Sequence, residues 1–154
     1  MPSQTKDSPR LLLKDMMTRN VETISPTAGI QEAAQQMKRL NVGAIPVCEG
    51  ARLRGMLTDR DIVLRIVAEN RPVETGKVQE AMSPEVTYCF EDQELEEAVQ
   101  IMREKQIRRL PVLSREKQLV GIVTLGDVAV KSGEREGTAE TLEGVSRPAK
   151  PQGR

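Results

Sequence analysis

Histidine and tryptophan are absent from this 154-residue chain, and tyrosine and phenylalanine occur once each. Without histidine, neither a His-based catalytic triad nor a His-ligated metal centre can be assembled. Two cysteines, Cys48 and Cys89, are too few for a structural zinc site. They could close on oxidation, but they are read here as two half-buried apolar residues in a reducing compartment. The shortage of rings also removes the platforms on which single-stranded bases stack. Neither sign of charge is in excess, with 23 Lys plus Arg against 23 Asp plus Glu. A general electrostatic binder of nucleic acid carries a basic surplus, so no nucleic-acid partner is expected. No apolar run approaches the roughly 18 residues of a membrane span. The polar start, Met1 to Asp7, lacks the apolar core of a secretion signal. The expectation is a cytoplasmic protein with no membrane contact. No Gly-rich phosphate loop and no nucleophile–base pair is visible, so no enzyme is expected.

What the chain does have is a duplication. Gly55-Met56-Leu57-Thr58-Asp59-Arg60-Asp61 returns as Gly121-Ile122-Val123-Thr124-Leu125-Gly126-Asp127, and Ala44-Ile45-Pro46-Val47 returns as Arg109-Leu110-Pro111-Val112. At an offset of 65, Met17 maps to Met82, Val21 to Val86, Ala33 to Ala98 and Met37 to Met102. One inserted residue near position 115 raises the offset to 66 from there on. Two copies of one supersecondary unit have apolar faces to bury against each other, and the chain is long enough for a real core.

Periodicity places the elements. Ile30, Ala33, Ala34, Met37 and Leu40 fall at helical spacing, with Thr27 as N-cap, and Leu95, Ala98, Val99 and Met102 do the same after Asp92. Runs 43–47, 53–58, 109–113 and 119–124 read as strands covered on both faces, joined in pairs by polar loops. A closing helix follows, with Ile62, Val63, Ile66 and Val67 on one face, and a short extended segment precedes each copy, at 21–24 and 86–90. The predicted fold class is α/β (α+β), with two helix–strand–strand–helix repeats, each with a short leading strand. Residues 1–10 form a loose leader, 11–70 the first repeat, 71–77 a linker, 78–131 the second repeat and 132–154 a polar tail too poor in apolar residues to order itself. Leu11, Leu12 and Leu13 are too apolar to be left in water.

Thr58 with Asp61, and Thr124 with Asp127, admit two readings. One is a capping box, in which both side chains serve backbone amides. The other is a ligand turn: a hydroxyl, a carboxylate and a helix N-terminus at the end of a strand, suited to a phosphate and the vicinal diol of a ribose. Recurrence of the turn, the strand leading into it and the Gly three residues before each Thr favour the ligand reading. Asp59 with Asp61 lacks the further ligands a metal would require, and is read as surface capping and salt-bridging.

These features resemble a tandem pair of CBS domains (named after cystathionine β-synthase), the arrangement called a Bateman module. The resemblance covers about residues 12–131 and rests on Lys14-Asp15-Met16-Met17-Thr18, Val42-Gly43-Ala44-Ile45-Pro46-Val47 and the Gly55–Asp61 turn. Their second copies are Val78-Gln79-Glu80-Ala81-Met82-Ser83, Ile107-Arg108-Arg109-Leu110-Pro111-Val112 and the Gly121–Asp127 turn. It implies a stand-alone, non-catalytic regulatory module whose repeats pack through their sheets and bind an adenosine-containing nucleotide in two clefts. AMP, ADP or ATP is expected, with S-adenosylmethionine or NADH less favoured. By the resemblance, Asp61 and Asp127 hold ribose hydroxyls, and Thr58 and Thr124 contact phosphate or ribose. Ala44, Ile45 and Pro46, with Arg109, Leu110 and Pro111, line the adenine through backbone groups and aliphatic side chains. Thr23, Ile24, Tyr88 and Cys89 touch the base. Arg108 and Arg109, which replace Gly43 and Ala44, are either solvated surface or phosphate ligands that make the clefts unequal. A homodimer through the helices and an unidentified effector protein are also implied. The alternative is a ligand-free dimerisation or interaction module docking to a partner enzyme or transporter.

Overall fold

The structure, a computed structural model, describes residues 11–131. They divide into two compact units: a central unit, residues 22–87, and a flanking unit made of residues 11–21 and 88–131. The expected leader 1–10 and tail 132–154 lie outside the described residues.

In the central unit, α1 (Ile30–Leu40) buries Ile30, Ala33 and Met37 and leaves Ala34 exposed. Its chain exits through Asn41 at φ 58°, a left-handed position that Asn tolerates. Strand β1 (Ala44–Glu49) returns antiparallel as β2 (Arg52–Thr58), and Ile24 bridges Val47 in parallel on the other side. Helix α2 (Asp59–Ile62) then widens into a π turn, Val63–Val67, closed by Ala68 N–H to the Val63 carbonyl. The widened turn changes which side chains face inward. Ile66 is buried and Ile62 half-buried, but Val63 and Val67, expected on the same face, are 53% and 58% exposed, with Leu64 at 46%.

The flanking unit repeats this plan. Strand β3 (Cys89–Phe90) runs parallel to β4 (Arg109–Leu113), which pairs antiparallel with β5 (Leu119–Thr124). Helix α3 (Leu95–Lys105) buries Leu95, Ala98, Val99 and Met102, and α4 (Leu125–Lys131) closes the unit. The mixed helix-and-sheet class and the two repeats are therefore as expected.

Each unit is completed by a segment from elsewhere in the chain. Around α1, Ile30 N–H donates to the Gly76 carbonyl, Val78 N–H to Ala28 and Gln79 N–H to Pro26, while Ser83 and Met56 exchange two backbone bonds. At the matching positions 65 or 66 residues on, Leu95 N–H donates to the Leu11 carbonyl, Leu13 N–H to Gln93, Lys14 N–H to Glu91, and Thr18 exchanges two bonds with Ile122. The segment that leads each repeat in sequence is thus built into the unit holding the other repeat's helices and strands. Leu13, Met16 and Met17 enter the core of the flanking unit, and Val78 and Ala81 that of the central unit. The expected linker 71–77 accordingly lies within the central unit.

This docking supplies the first helical N–H groups of α1 and α3 with the Gly76 and Leu11 carbonyls, and the expected N-caps, Thr27 and Asp92, fall two residues before the cap positions. Gly29 and Glu94 occupy the cap positions instead. Thr27 pairs its hydroxyl with Ser25 at 3.0 Å, and Asp92 binds Arg115. It also explains Gly55 and Gly121. A Cβ on Gly55 would sit 2.6 Å from the Ser83 carbonyl oxygen, and one on Gly121 2.8 Å from that of Thr18. The close approach the sequence required is made by the docked segment.

Candidate functional site

Both Thr-x-x-Asp turns close as capping boxes. Thr58 N–H donates to Asp61 Oδ2 and Asp61 N–H to Thr58 Oγ1, each at 3.0 Å. In the flanking unit the same two bonds, Thr124 N–H to Asp127 Oδ2 and Asp127 N–H to Thr124 Oγ1, measure 3.1 Å. The two readings of the turn are therefore compatible. Capping uses one lone pair of the Thr oxygen and carboxylate Oδ2; the Thr proton and Oδ1 are not consumed by the cap.

Further contacts on the carboxylates differ, and periodicity gave no sign of them. Thr18 Oγ1 donates to Asp127 Oδ2 at 3.2 Å, tying the docked segment 11–18 to the turn. In the central unit, Arg65 Nε lies 3.9 Å from Asp61 Oδ1 and its guanidinium donates to the Ala81 and Met82 carbonyls at 3.4 and 3.2 Å. The only signal was the recurrence of Met17-Thr18 as Met82-Ser83, which marks the leading segments without saying where they dock.

The remaining expected site residues gather around the turns in the same way in each unit. Ala44 lies opposite Thr58 across the hairpin, and Arg109 opposite Thr124. Ile24 N–H donates to the Pro46 carbonyl, placing Thr23 and Ile24 beside β1. Cys89 pairs with Val112, placing Tyr88 beside β4 and Pro111. Ile45, Leu110, Ile24 and Cys89 all turn their side chains into the cores, so what they offer outward is backbone. Pro46 and Pro111 are buried as well, whereas Thr23, Ala44 and Tyr88 are half-exposed.

Electrostatics separate the two turns. Arg108 is exposed and Arg109 half-buried; the Arg108 carbonyl accepts from Leu125 N–H, but among the described residues neither guanidinium has a hydrogen-bond or ion-pair partner. Burial, then the charge of Arg108, holds the Arg109 pKa below its ordinary value. The equivalent Gly43 carries no side chain, and a Cβ there would lie 3.1 Å from Asp59 Oδ2. Asp59 in turn is replaced by Leu125, which is buried. The flanking unit thus offers uncompensated positive charge where the central unit offers a carboxylate.

Cys48 and Cys89 are buried free thiols, one in each unit. Burial pushes both pKa values up to about 11, with Glu97 adding to the effect at Cys89. Among the described residues no three His, Cys, Asp or Glu side chains gather as a metal site. No helix among them is long and apolar enough to cross a membrane.

The chain is 49% identical over 134 residues to the CBS domain-containing protein YhcV of Bacillus subtilis, covering 87% of this chain and 94% of that one. The crystal structure of Hypoxic Response Protein I, with two coordinated zinc ions, superposes with a TM-score of 0.70 at 36% identity, covering 78% of this chain and 98% of the other. The CBS domain pair of protein MJ0100, in complex with 5-methylthioadenosine and S-adenosyl-L-methionine, gives a TM-score of 0.66 at 27% identity, covering 83% and 100%. The zinc ions belong to the first of these structures; the present sequence contains no histidine. The model of the CBS domain matches twice, at residues 13–68 and 78–133, almost the span over which docked segment, helix, hairpin and capped turn recur. Matched in both halves, the chain belongs to the CBS domain family as a tandem pair.

Proposed function

We propose that this CBS pair is a non-catalytic sensor that binds an adenosine-containing nucleotide, AMP, ADP or ATP, and passes occupancy to an effector protein in the cytoplasm. The observation that carries this reading is the Arg108–Arg109 pair. Two adjacent guanidinium groups, one half-buried and neither neutralised among the described residues, stand beside a turn that retains a hydroxyl proton and a carboxylate oxygen. Guanidinium groups favour phosphate, and a carboxylate favours a diol. The adenosyl compounds bound to the MJ0100 pair support the adenosine part of the proposal. In this reading Asp127 and Thr124 hold ribose, Arg108 and Arg109 hold phosphate, Tyr88 and the backbone of Cys89, Leu110 and Pro111 meet the base. Asp61, Thr58, Thr23, Ala44 and the backbone of Ile24, Ile45 and Pro46 do the equivalent work in the central unit. S-adenosylmethionine ranks lower because it has no phosphate and carries a cationic sulfonium, and NADH because its diphosphate is esterified at both ends and lacks the terminal phosphate of AMP, ADP and ATP. Exposed Val63, Leu64 and Val67 offer an apolar face for a homodimer.

The test is calorimetric titration of AMP, ADP, ATP, S-adenosylmethionine and NADH into the protein and its Asp61→Ala, Asp127→Ala and Arg109→Ala variants. Saturable binding is expected, with Arg109→Ala weakening ATP roughly tenfold or more, the worth of a charge-assisted hydrogen bond. A second reading, a ligand-free interaction module, draws on the capping boxes, which give both Thr–Asp pairs a structural task. Absence of binding by all five compounds, with Asp61→Ala and Asp127→Ala losing thermal stability, would decide for it.

A further inference from the structure

The chain's only two aromatic residues lie together in the flanking unit. The Tyr88 and Phe90 rings meet edge to face, centroids 5.5 Å apart at 85°. The Arg115 guanidinium lies over the Phe90 ring, 4.2 Å from its centroid. Arg115 is in turn clamped by Asp92, with Nε to Oδ2 at 2.9 Å and Nη2 to Oδ1 at 2.8 Å. The backbone on both sides is fixed. Phe90 N–H donates to Gln93 Oε1 at 2.8 Å, and the loop carrying Arg115 is closed by Lys117 N–H to Ser114 O at 2.7 Å and Gln118 N–H to Ser114 Oγ at 3.2 Å.

At the matching positions, 65 residues earlier, the central unit has Thr23, Ser25 and Thr27. There a hydroxyl pair, Ser25 with Thr27 at 3.0 Å, stands where the rings and their clamp stand in the flanking unit. The residue inserted near position 115 belongs to the loop that delivers the arginine. One copy of the repeat has thus acquired a propped ring at a position where the other keeps a small polar side chain.

We infer that Phe90, Arg115 and Asp92 are positioning residues that hold the Tyr88 ring as a wall for a flat base, making the flanking unit the base-stacking half of the module. The inference rests on the nucleotide reading above. Edge-to-face packing fixes the tilt of Tyr88, the guanidinium covers a face of Phe90, and the two-bond fork with Asp92 keeps the guanidinium from swinging away. A ring already fixed loses less freedom when a base stacks on it, so the prop acts on affinity through preorganisation.

One tyrosine and no tryptophan make tyrosine emission a reporter of residue 88 alone. Time-resolved anisotropy of that emission, without ligand, is compared for the native protein, Arg115→Gln, Arg115→Lys and Phe90→Leu. The native ring is expected to follow overall tumbling; Arg115→Gln and Phe90→Leu add a fast component, and Arg115→Lys, which keeps charge without the fork, gives a smaller one. AMP titrations in an Asp61→Ala background then read the flanking unit. Roughly threefold to tenfold weaker binding is expected for Arg115→Gln and Phe90→Leu, and no change for Ser25→Ala. Unaltered anisotropy in both variants overturns the prop. Altered anisotropy with unaltered AMP affinity overturns the role in base stacking. If the native protein takes up no nucleotide, the sensor reading and base stacking both fall, and the anisotropy still decides the prop.

Discussion

The Asp61 and Asp127 turns share one backbone frame and almost nothing else. In both, a Thr ends a strand, an Asp three residues later caps it, and the four bonds agree to within 0.1 Å. Around that frame, Gly43-Ala44 faces Arg108-Arg109, exposed Asp59 faces buried Leu125, and an Arg65 ion pair faces a Thr18 hydroxyl. The lesson is a division of labour. What repeats is what the backbone needs to turn from strand to helix; what differs lies where a ligand's charge and shape would be read.

The largest test of that comparison strikes the cores. Ile45 and Leu110 are equivalent, and both are essentially fully buried. Alanine at either is expected to cost about 2–5 kcal/mol in chemical denaturation. Hydrogen exchange after Leu110→Ala should rise in residues 11–18 as well as 88–131, despite the intervening stretch of chain. Protection retained in 11–18 would separate that segment from the flanking unit.

A smaller effect tests the shared frame. Thr58→Ala and Thr124→Ala each remove one cap and are expected to lower stability by roughly 0.5–2 kcal/mol, by similar amounts because the cap geometry is the same. Unequal costs by thermal denaturation would mean that the differing surroundings support the turns themselves.

The smallest concerns the Asp92 clamp. Its hydrogen bond with Arg115 lowers the Asp92 pKa, with burial opposing and the arginine's charge assisting. The stabilisation is therefore present above the unfolded-state value, about 3.9, and is lost as pH falls through the lower folded-state value. Because the pair is exposed, the effect is small and weakens with salt. Melting curves of native protein and Asp92→Asn should differ at about pH 6 and converge as the pH falls below about 3.9; a constant gap would assign the clamp no titrating contribution.

Strands and helices were legible because their signals are local. Runs 109–113 and 119–124 match β4 and β5, and the first hairpin, expected at 43–47 and 53–58, forms at 44–49 and 52–58. Thr23, Ile24, Tyr88 and Cys89 were named by the family resemblance and not by spacing; the structure sets them beside β1 and β4. Three things were not legible. The widening at Val63–Val67 depends on a backbone bond shift that apolar spacing does not encode, so Val63 and Val67 were assigned to a buried face. Local preference points to caps at Thr27 and Asp92, but the helices start two residues later, where Ile30 and Leu95 N–H meet carbonyls from the docked segments. Thr18, Arg65, Phe90 and Arg115 became visible only once distant segments were brought together.

The exchange of leading segments has a consequence for how the chain is made. Leu13, Met16 and Met17 are synthesised long before residues 88–131, the partners that bury them, and must wait in water through the growth of the central unit. A fragment cut at the repeat boundary would carry these three side chains uncovered while lacking Val78 and Ala81. A lone repeat that kept this arrangement would have to take its leading segment from a second molecule. Joining two copies end to end turns that trade into an internal one, at an effective concentration set by the connecting chain. The period of the gene and the period of the folded body are out of step, and the mismatch binds the two halves into one heritable piece.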